Sequence, residues 1–133
     1  MKKSHPPLIL QPISAGFPNP AEDADSIPLD LNELIIRRPA ATFFMRVEGE
    51  SMRDAGVHSG DIVVIDKGLE PSSGDMVVAF LDGEFTLKTF KRDGSEGWLM
   101  PANDAYEPIK VSDEGQDFQI WGVVTYTIHA RRS

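Results

Sequence analysis

Asp75-Met-Val-Val-Ala-Phe-Leu81, then Asp82-Gly83, then Glu84-Phe-Thr-Leu-Lys-Thr-Phe-Lys91 is the stretch that decides the fold class of this chain. Two runs rich in β-branched and aromatic residues flank an Asp-Gly pair. Both central positions of a two-residue hairpin loop need a positive φ, which Asp tolerates and Gly adopts freely. With Asp82-Gly83 as the loop, Lys88 falls opposite Val77 and Thr86 opposite Ala79, with Phe90 next along the same face. The hairpin therefore places a lysine among mostly apolar neighbours. Burial disfavours the charged form of such a lysine and lowers its pKa, which is what a lysine base requires. A solvated lysine that lays its stem over the sheet is the competing reading. Lys91, nearer the strand end, fits that ordinary role.

The pattern on either side of the hairpin is also β. Thr42–Val47 is β-rich, and Asp61-Ile-Val-Val-Ile-Asp66 is a short apolar run bounded by charges. Trp98–Met100 is short, and Phe118–His129 is long and alternates in its second half. Asp30-Leu-Asn-Glu33 has capping-box spacing and opens a helix of about two turns, with Leu31, Leu34 and Ile35 on one face. Pro39 ends it. Six of the ten prolines (Pro6, Pro7, Pro12, Pro18, Pro20 and Pro28) fall before this helix, so the first 28 residues read as an extended arm. Leu8, Ile9, Leu10, Ile13 and Phe17 give the arm apolar side chains with which to dock. The expectation is one mainly β domain with one or two short helices and an extended N-terminal arm.

Composition narrows the function. At 133 residues the chain is of single-domain size and can bury a core. It has no cysteine, which excludes disulfide scaffolds and cysteine nucleophiles and fits a reducing compartment. The formal charge of −8, from 13 basic and 21 acidic residues, supplies no basic field for direct DNA binding. No apolar run approaches a membrane span, and no signal-peptide core follows Met1-Lys2-Lys3. The reading is cytoplasmic, with no cofactor or metal.

Two further residue sets carry possible chemistry. His5, His58 and His129 have no metal-ligand spacing, although His58 lies near Ser51 and Asp61 in sequence and leaves a Ser-His-Asp arrangement open. In Gly49-Glu-Ser-Met-Arg-Asp-Ala-Gly56, Ser51 follows a strand and lies between glycines, a setting for an exposed nucleophile. The backbone N–H groups of Glu50 and Ser51 would face a developing oxyanion. The bland alternative makes Ser51 a helix cap with Asp54 at the third position.

Gly49–Gly56, Gly60-Asp-Ile-Val-Val-Ile-Asp66, Gly74-Asp75 and Asp82–Lys88 together resemble the LexA/UmuD family of self-cleaving Ser-Lys peptidases. Gly16–Ala21, Asp30–Leu34, Pro101-Ala-Asn-Asp-Ala-Tyr106 and Phe118–Val124 fit the same family in order and spacing. The resemblance implies a compact β-clip fold like the C-terminal domain of LexA. It implies that Ser51 is the nucleophile, Lys88 the general base, and Ala15-Gly16 the peptide that the chain cuts in itself. Residues 1–28 would then be the arm containing the cleavage site, and 29–133 the peptidase domain.

The resemblance also implies partners: a homodimer, a RecA filament on single-stranded DNA that stimulates cleavage, and a Y-family, UmuC-like polymerase subunit. The shortened form would serve that polymerase in SOS mutagenesis and translesion synthesis. The 15 residues before the cut leave no room for the helix-turn-helix domain of LexA-like repressors, and the membrane anchor of signal peptidases is missing. The alternative is a non-catalytic polymerase- or repressor-binding module in which Ser51 and Lys88 are relics.

Overall fold

The computed structural model describes residues 5–18, 20, 25–111 and 118–132. Met1, Lys2 and Lys3 of the expected arm, and Asn19 and Ala21 of the Gly16–Ala21 block, lie outside them. The chain forms two compact units, Met1–Arg37 and Arg38–Ser133. No helix among the described residues is long and apolar enough to cross a membrane.

In the first unit, the arm is extended in two stretches that pair with each other. β1 (Pro7–Ile9) runs antiparallel to β2 (Ser26–Pro28), with Leu8 opposite Ile27. Pro7 and Pro28 face each other at one end of the ladder, where missing donors cost least. The flanking bonds Leu29 N to Pro6 O and Leu10 N to Asp25 O, both 2.9 Å, extend the pairing. Residues 15–17 bend: Ser14 Oγ accepts from the Gly16 N–H at 3.3 Å and donates to the Phe17 carbonyl. The expected helix is α1 (Leu31–Ile35), capped by Asp30, whose Oδ1 accepts from the Asn32 N–H at 3.0 Å. Its expected apolar face is not a core face: Leu31 and Leu34 are exposed, and Ile35 is half-buried.

The second unit is one antiparallel sheet in the order β3-β4-β9-β5-β6-β7-β8. Its strands are β3 (Thr42–Arg46), β4 (Ile62–Asp66), β5 (Met76–Leu81), β6 (Glu84–Asp93), β7 (Glu96–Met100), β8 (Ile109–Val111) and β9 (Phe118–Ile128). The mainly β expectation holds. The hairpin register is the one read from the sequence, with Val77 opposite Lys88 and Ala79 opposite Thr86. Asp82 and Gly83 have φ of 49° and 86°, the twist that an Asp-Gly loop supplies. β6 and β7 are longer than expected because Gly94, with φ of 60°, makes a second tight turn between them.

Period-two alternation sends each central strand into two cores. Val78 joins Met52, Val57, Val63 and Ile65, while its neighbours Val77 and Ala79 join Phe90, Leu99 and Val123. β9 lies between β4 and β5, and its ladder slips once with each, at Val64/Ile65 and at Val78/Ala79. Such bulges bend a strand and let one segment serve two partners. Gly122 lies on this strand opposite Val78, where a Cβ would collide with the Ile65 side chain.

Candidate active site

Lys88 comes from the middle of β6 and Ser51 from the turn after β3, 37 residues earlier. The sheet brings them together: Lys88 Nζ donates to Ser51 Oγ at 3.1 Å. It also donates to Thr86 Oγ1 at 2.8 Å and to the Leu87 carbonyl at 3.1 Å. Among the described residues no carboxylate pairs with this ammonium, whose acceptors are all neutral. Lys88 is 7% exposed. Burial holds its pKa below the ordinary lysine value, because leaving water disfavours the charged form and no anion compensates.

The serine is presented by its neighbour. Met52 is buried at 2% exposure in the first core, whereas Ser51 is half-buried. The following 3-10 turn, Arg53–Ala55, is capped at Met52 with no side-chain hydrogen bond. Ser51 is therefore not the cap of that turn, and its hydroxyl is given to Lys88. Gly56 closes the turn with φ of 82°, a conformation costly for other residues.

A cavity of about 440 Å³ opens beside the pair, walled by Met45, Val47, Met52, Val63, Val78 and Leu87 among others. Arg46, Glu48, Glu50, Ser51, Thr86, Lys88 and Tyr106 supply its polar lining. The N–H groups of Glu50 and Ser51 have no acceptor among the described residues. A cleft with apolar walls and convergent polar groups suits an extended peptide segment.

The histidines do not join the pair. His129 Nδ1 lies 2.6 Å from Asp61 Oδ1, and Asp61 Oδ2 accepts from the His58 N–H at 2.9 Å. Burial pushes the Asp61 carboxyl up, but the His58 N–H bond and the His129 bond and charge outweigh it and hold the pKa low. The His58 ring turns to Glu50, with Nδ1 3.6 Å from Oε2. Both Asp61 oxygens are thus spent on other groups, and no Ser-His-Asp arrangement forms. His5 lies in the first unit, 3.7 Å from Asp30. Among the described residues no group of histidines and carboxylates could hold a metal ion.

A residue that the sequence reading passed over completes the site. Asn103, 8% exposed, donates from Nδ2 to the Glu50 carbonyl at 2.7 Å. Next to it, the Ala102 N–H donates to the Ser51 carbonyl and the Asp54 N–H to the Ala102 carbonyl, both at 2.6 Å. The loop Pro101–Tyr106 is thereby tied to the serine turn at three points. Only the Pro-Ala-Asn block itself signalled this loop in the sequence, and nothing local said what it touches. Ala15 and Gly16 lie in the bend of the first unit.

Comparison with known proteins shows the family. The sequence profile of the Peptidase S24-like family matches residues 7–125. Protein SamA of Salmonella typhimurium is 47% identical over 131 residues, covering 98% of this chain and 90% of the relative. Protein ImpA of Escherichia coli is 44% identical over 131 residues, 95% of this chain and 85% of the relative. A LexA repressor of Acidithiobacillus ferrooxidans is 40% identical over 114 residues, 84% of this chain but 55% of the repressor.

Proposed function

The chain belongs to the Peptidase S24-like family, a family of self-cleaving serine peptidases, and on that premise we propose that it is a UmuD-like SOS mutagenesis protein that cuts its own Ala15-Gly16 bond with a Ser51/Lys88 dyad. One observation carries the reading: a buried lysine amine lies 3.1 Å from the serine hydroxyl, and among the described residues no carboxylate pairs with it to keep it charged.

Neutral Lys88 accepts the Ser51 proton as Oγ attacks the Ala15 carbonyl. The N–H groups of Glu50 and Ser51 stabilise the oxyanion of the tetrahedral intermediate. As the C–N bond breaks, the Lys88 ammonium returns the proton to the departing Gly16 amine. The acyl-enzyme on Ser51 is then hydrolysed by water activated by the same amine, releasing residues 1–15 and 16–133. Thr86 Oγ1, 2.8 Å from Nζ, aims the amine at the serine.

The family membership further supports a homodimer, stimulation by a RecA filament on single-stranded DNA, and service of the shortened form to a Y-family polymerase subunit. The test is intact mass of the purified protein, incubated alone at alkaline pH and at neutral pH with RecA filaments. The expected result is a single cut after Ala15. An uncut chain under both conditions favours the non-catalytic binding module.

A further inference from the structure

We infer that Asn103 is a positioning residue whose side-chain amide sets the orientation of the Glu50–Ser51 peptide, and with it the aim of the Ser51 N–H at the oxyanion. The inference rests on the reading of Ser51 as nucleophile and deepens it.

A trans peptide is planar, and its N–H points opposite to its C=O. No cis peptide occurs among the described residues. The Glu50 carbonyl accepts from Asn103 Nδ2 at 2.7 Å and from the Arg53 N–H at 3.1 Å, so both of its lone pairs are engaged. Fixing that carbonyl toward the loop turns the Ser51 N–H away from it. The same N–H has no acceptor among the described residues, and both Glu50 and Ser51 line the cavity. A donor held in a fixed direction and left unspent is what oxyanion stabilisation requires.

Asparagine suits this task because it donates and accepts at once. Its Oδ1 accepts from the Ala105 N–H at 3.0 Å, an Asx turn that fixes the side chain and leaves Nδ2 free to reach Glu50. Its main-chain carbonyl accepts from the Tyr106 N–H at 3.0 Å, and Tyr106 is itself a wall of the cavity. One residue thus ties the oxyanion side of the site to the cleft wall.

The test follows self-cleavage of the full chain by intact mass across a pH series, for wild type, Asn103→Ser and Lys88→Ala. Serine can still accept from the Ala105 N–H but is too short to donate to Glu50, and it adds no charge. Asn103→Ser should lower the plateau rate at alkaline pH roughly 10–100-fold and leave the midpoint of the pH profile unmoved, because the surroundings of Lys88 are unchanged. Full-rate cleavage by folded Asn103→Ser overturns the inference. So does a lost rate with a displaced midpoint, which marks a disturbed lysine pocket rather than a misaimed amide.

Should Asn103→Ser fail to fold, the wild-type chain decides by NMR. The Asn103 side-chain amide should exchange with solvent at least ~10-fold more slowly than a free asparagine amide, and exchange at the free rate overturns the inference. Lys88→Ala separates the two levels. Silent Lys88→Ala beside full-rate Asn103→Ser removes the inference alone. Lys88→Ala that cuts like wild type removes Lys88 as base, while the inference, which rests on Ser51, stands or falls with Asn103→Ser.

Discussion

The two halves of the site are built in opposite ways. Lys88 sits mid-strand, with apolar Val77 directly opposite on β5 and the β7 ladder starting at the next residue, Thr89. Ser51 sits on an irregular turn whose carbonyls are held by a loop some fifty residues further on. The base is positioned by regular pairing and the nucleophile by individually placed bonds. Regular pairing resists any single change, whereas a turn held by three bonds is as sound as each of them.

The largest effects should come from breaking either half outright. Ser51→Ala and Lys88→Ala should each reduce self-cleavage by roughly 10⁴-fold or more while leaving the fold intact, read by mass and by circular dichroism. Lys88→Arg should fail as completely, because a guanidinium stays protonated. Unimpaired cutting by the arginine variant would remove Lys88 as base. Lys88→Met should melt at or above the wild-type temperature near neutral pH, since it removes a desolvated cation without orphaning an anion.

The next effect is pH. Burial lowers the Lys88 pKa, so the neutral fraction grows as pH rises and the rate should climb toward a plateau. The midpoint should fall below ~10.4, where a free lysine titrates. The same sign holds for stability: the folded state releases this proton more readily than the unfolded one. The penalty of burying the ammonium is therefore present below the folded pKa and is relieved as pH rises through it. A flat rate from neutral to alkaline pH, measured by mass spectrometry, would remove the lysine mechanism.

Smaller effects sharpen the contrast between the halves. Met52→Ala should cost about 2–5 kcal/mol and slow cleavage beyond what the lost stability explains, because Met52 anchors the serine turn in the core. Gly122→Ala should cost about 1–3 kcal/mol through overpacking against Ile65, with the rate of the folded fraction nearly unchanged, because the ladder carries the lysine. Thermal melts and rates on the same samples separate these outcomes. The smallest effect belongs to Lys91→Ala. Lys91 is exposed, opposite Trp98, and its loss should alter the rate less than about twofold.

The lysine half was legible in the sequence for the reason that makes it robust. Once Asp82-Gly83 fixes the loop, period-two geometry fixes the β5 partners of β6 as far as Thr89, and the residues opposite and beside Lys88 in the hairpin follow without knowledge of the fold. The serine half was legible only as a suspicion. Gly49 and Gly56 marked a turn, but whether Ser51 capped a helix or served chemistry depended on which backbone groups Met52 and Ala102 would engage. Asn103 was invisible as a positioning group because its partner lies 53 residues away.

The short strands were missed for local reasons. β8 has three residues after Pro108, and β1 and β2 carry prolines at the one end of their ladder where no donor is wanted. The apolar face of α1 was read correctly as a pattern, but it did not become core.

Of the three bonds that tie the Pro101–Tyr106 loop to the serine turn, two run between main-chain atoms of Ser51, Asp54 and Ala102. Any residue except proline supplies them. Substitution can therefore break these three bonds at few places: a proline at Ala102 or Asp54 deletes a donor, and a change at Asn103 deletes the single side-chain bond. A lineage can drift across most of the Pro101–Tyr106 loop and keep these bonds, so the tolerance of this tie is concentrated in the backbone and its fragility in one amide.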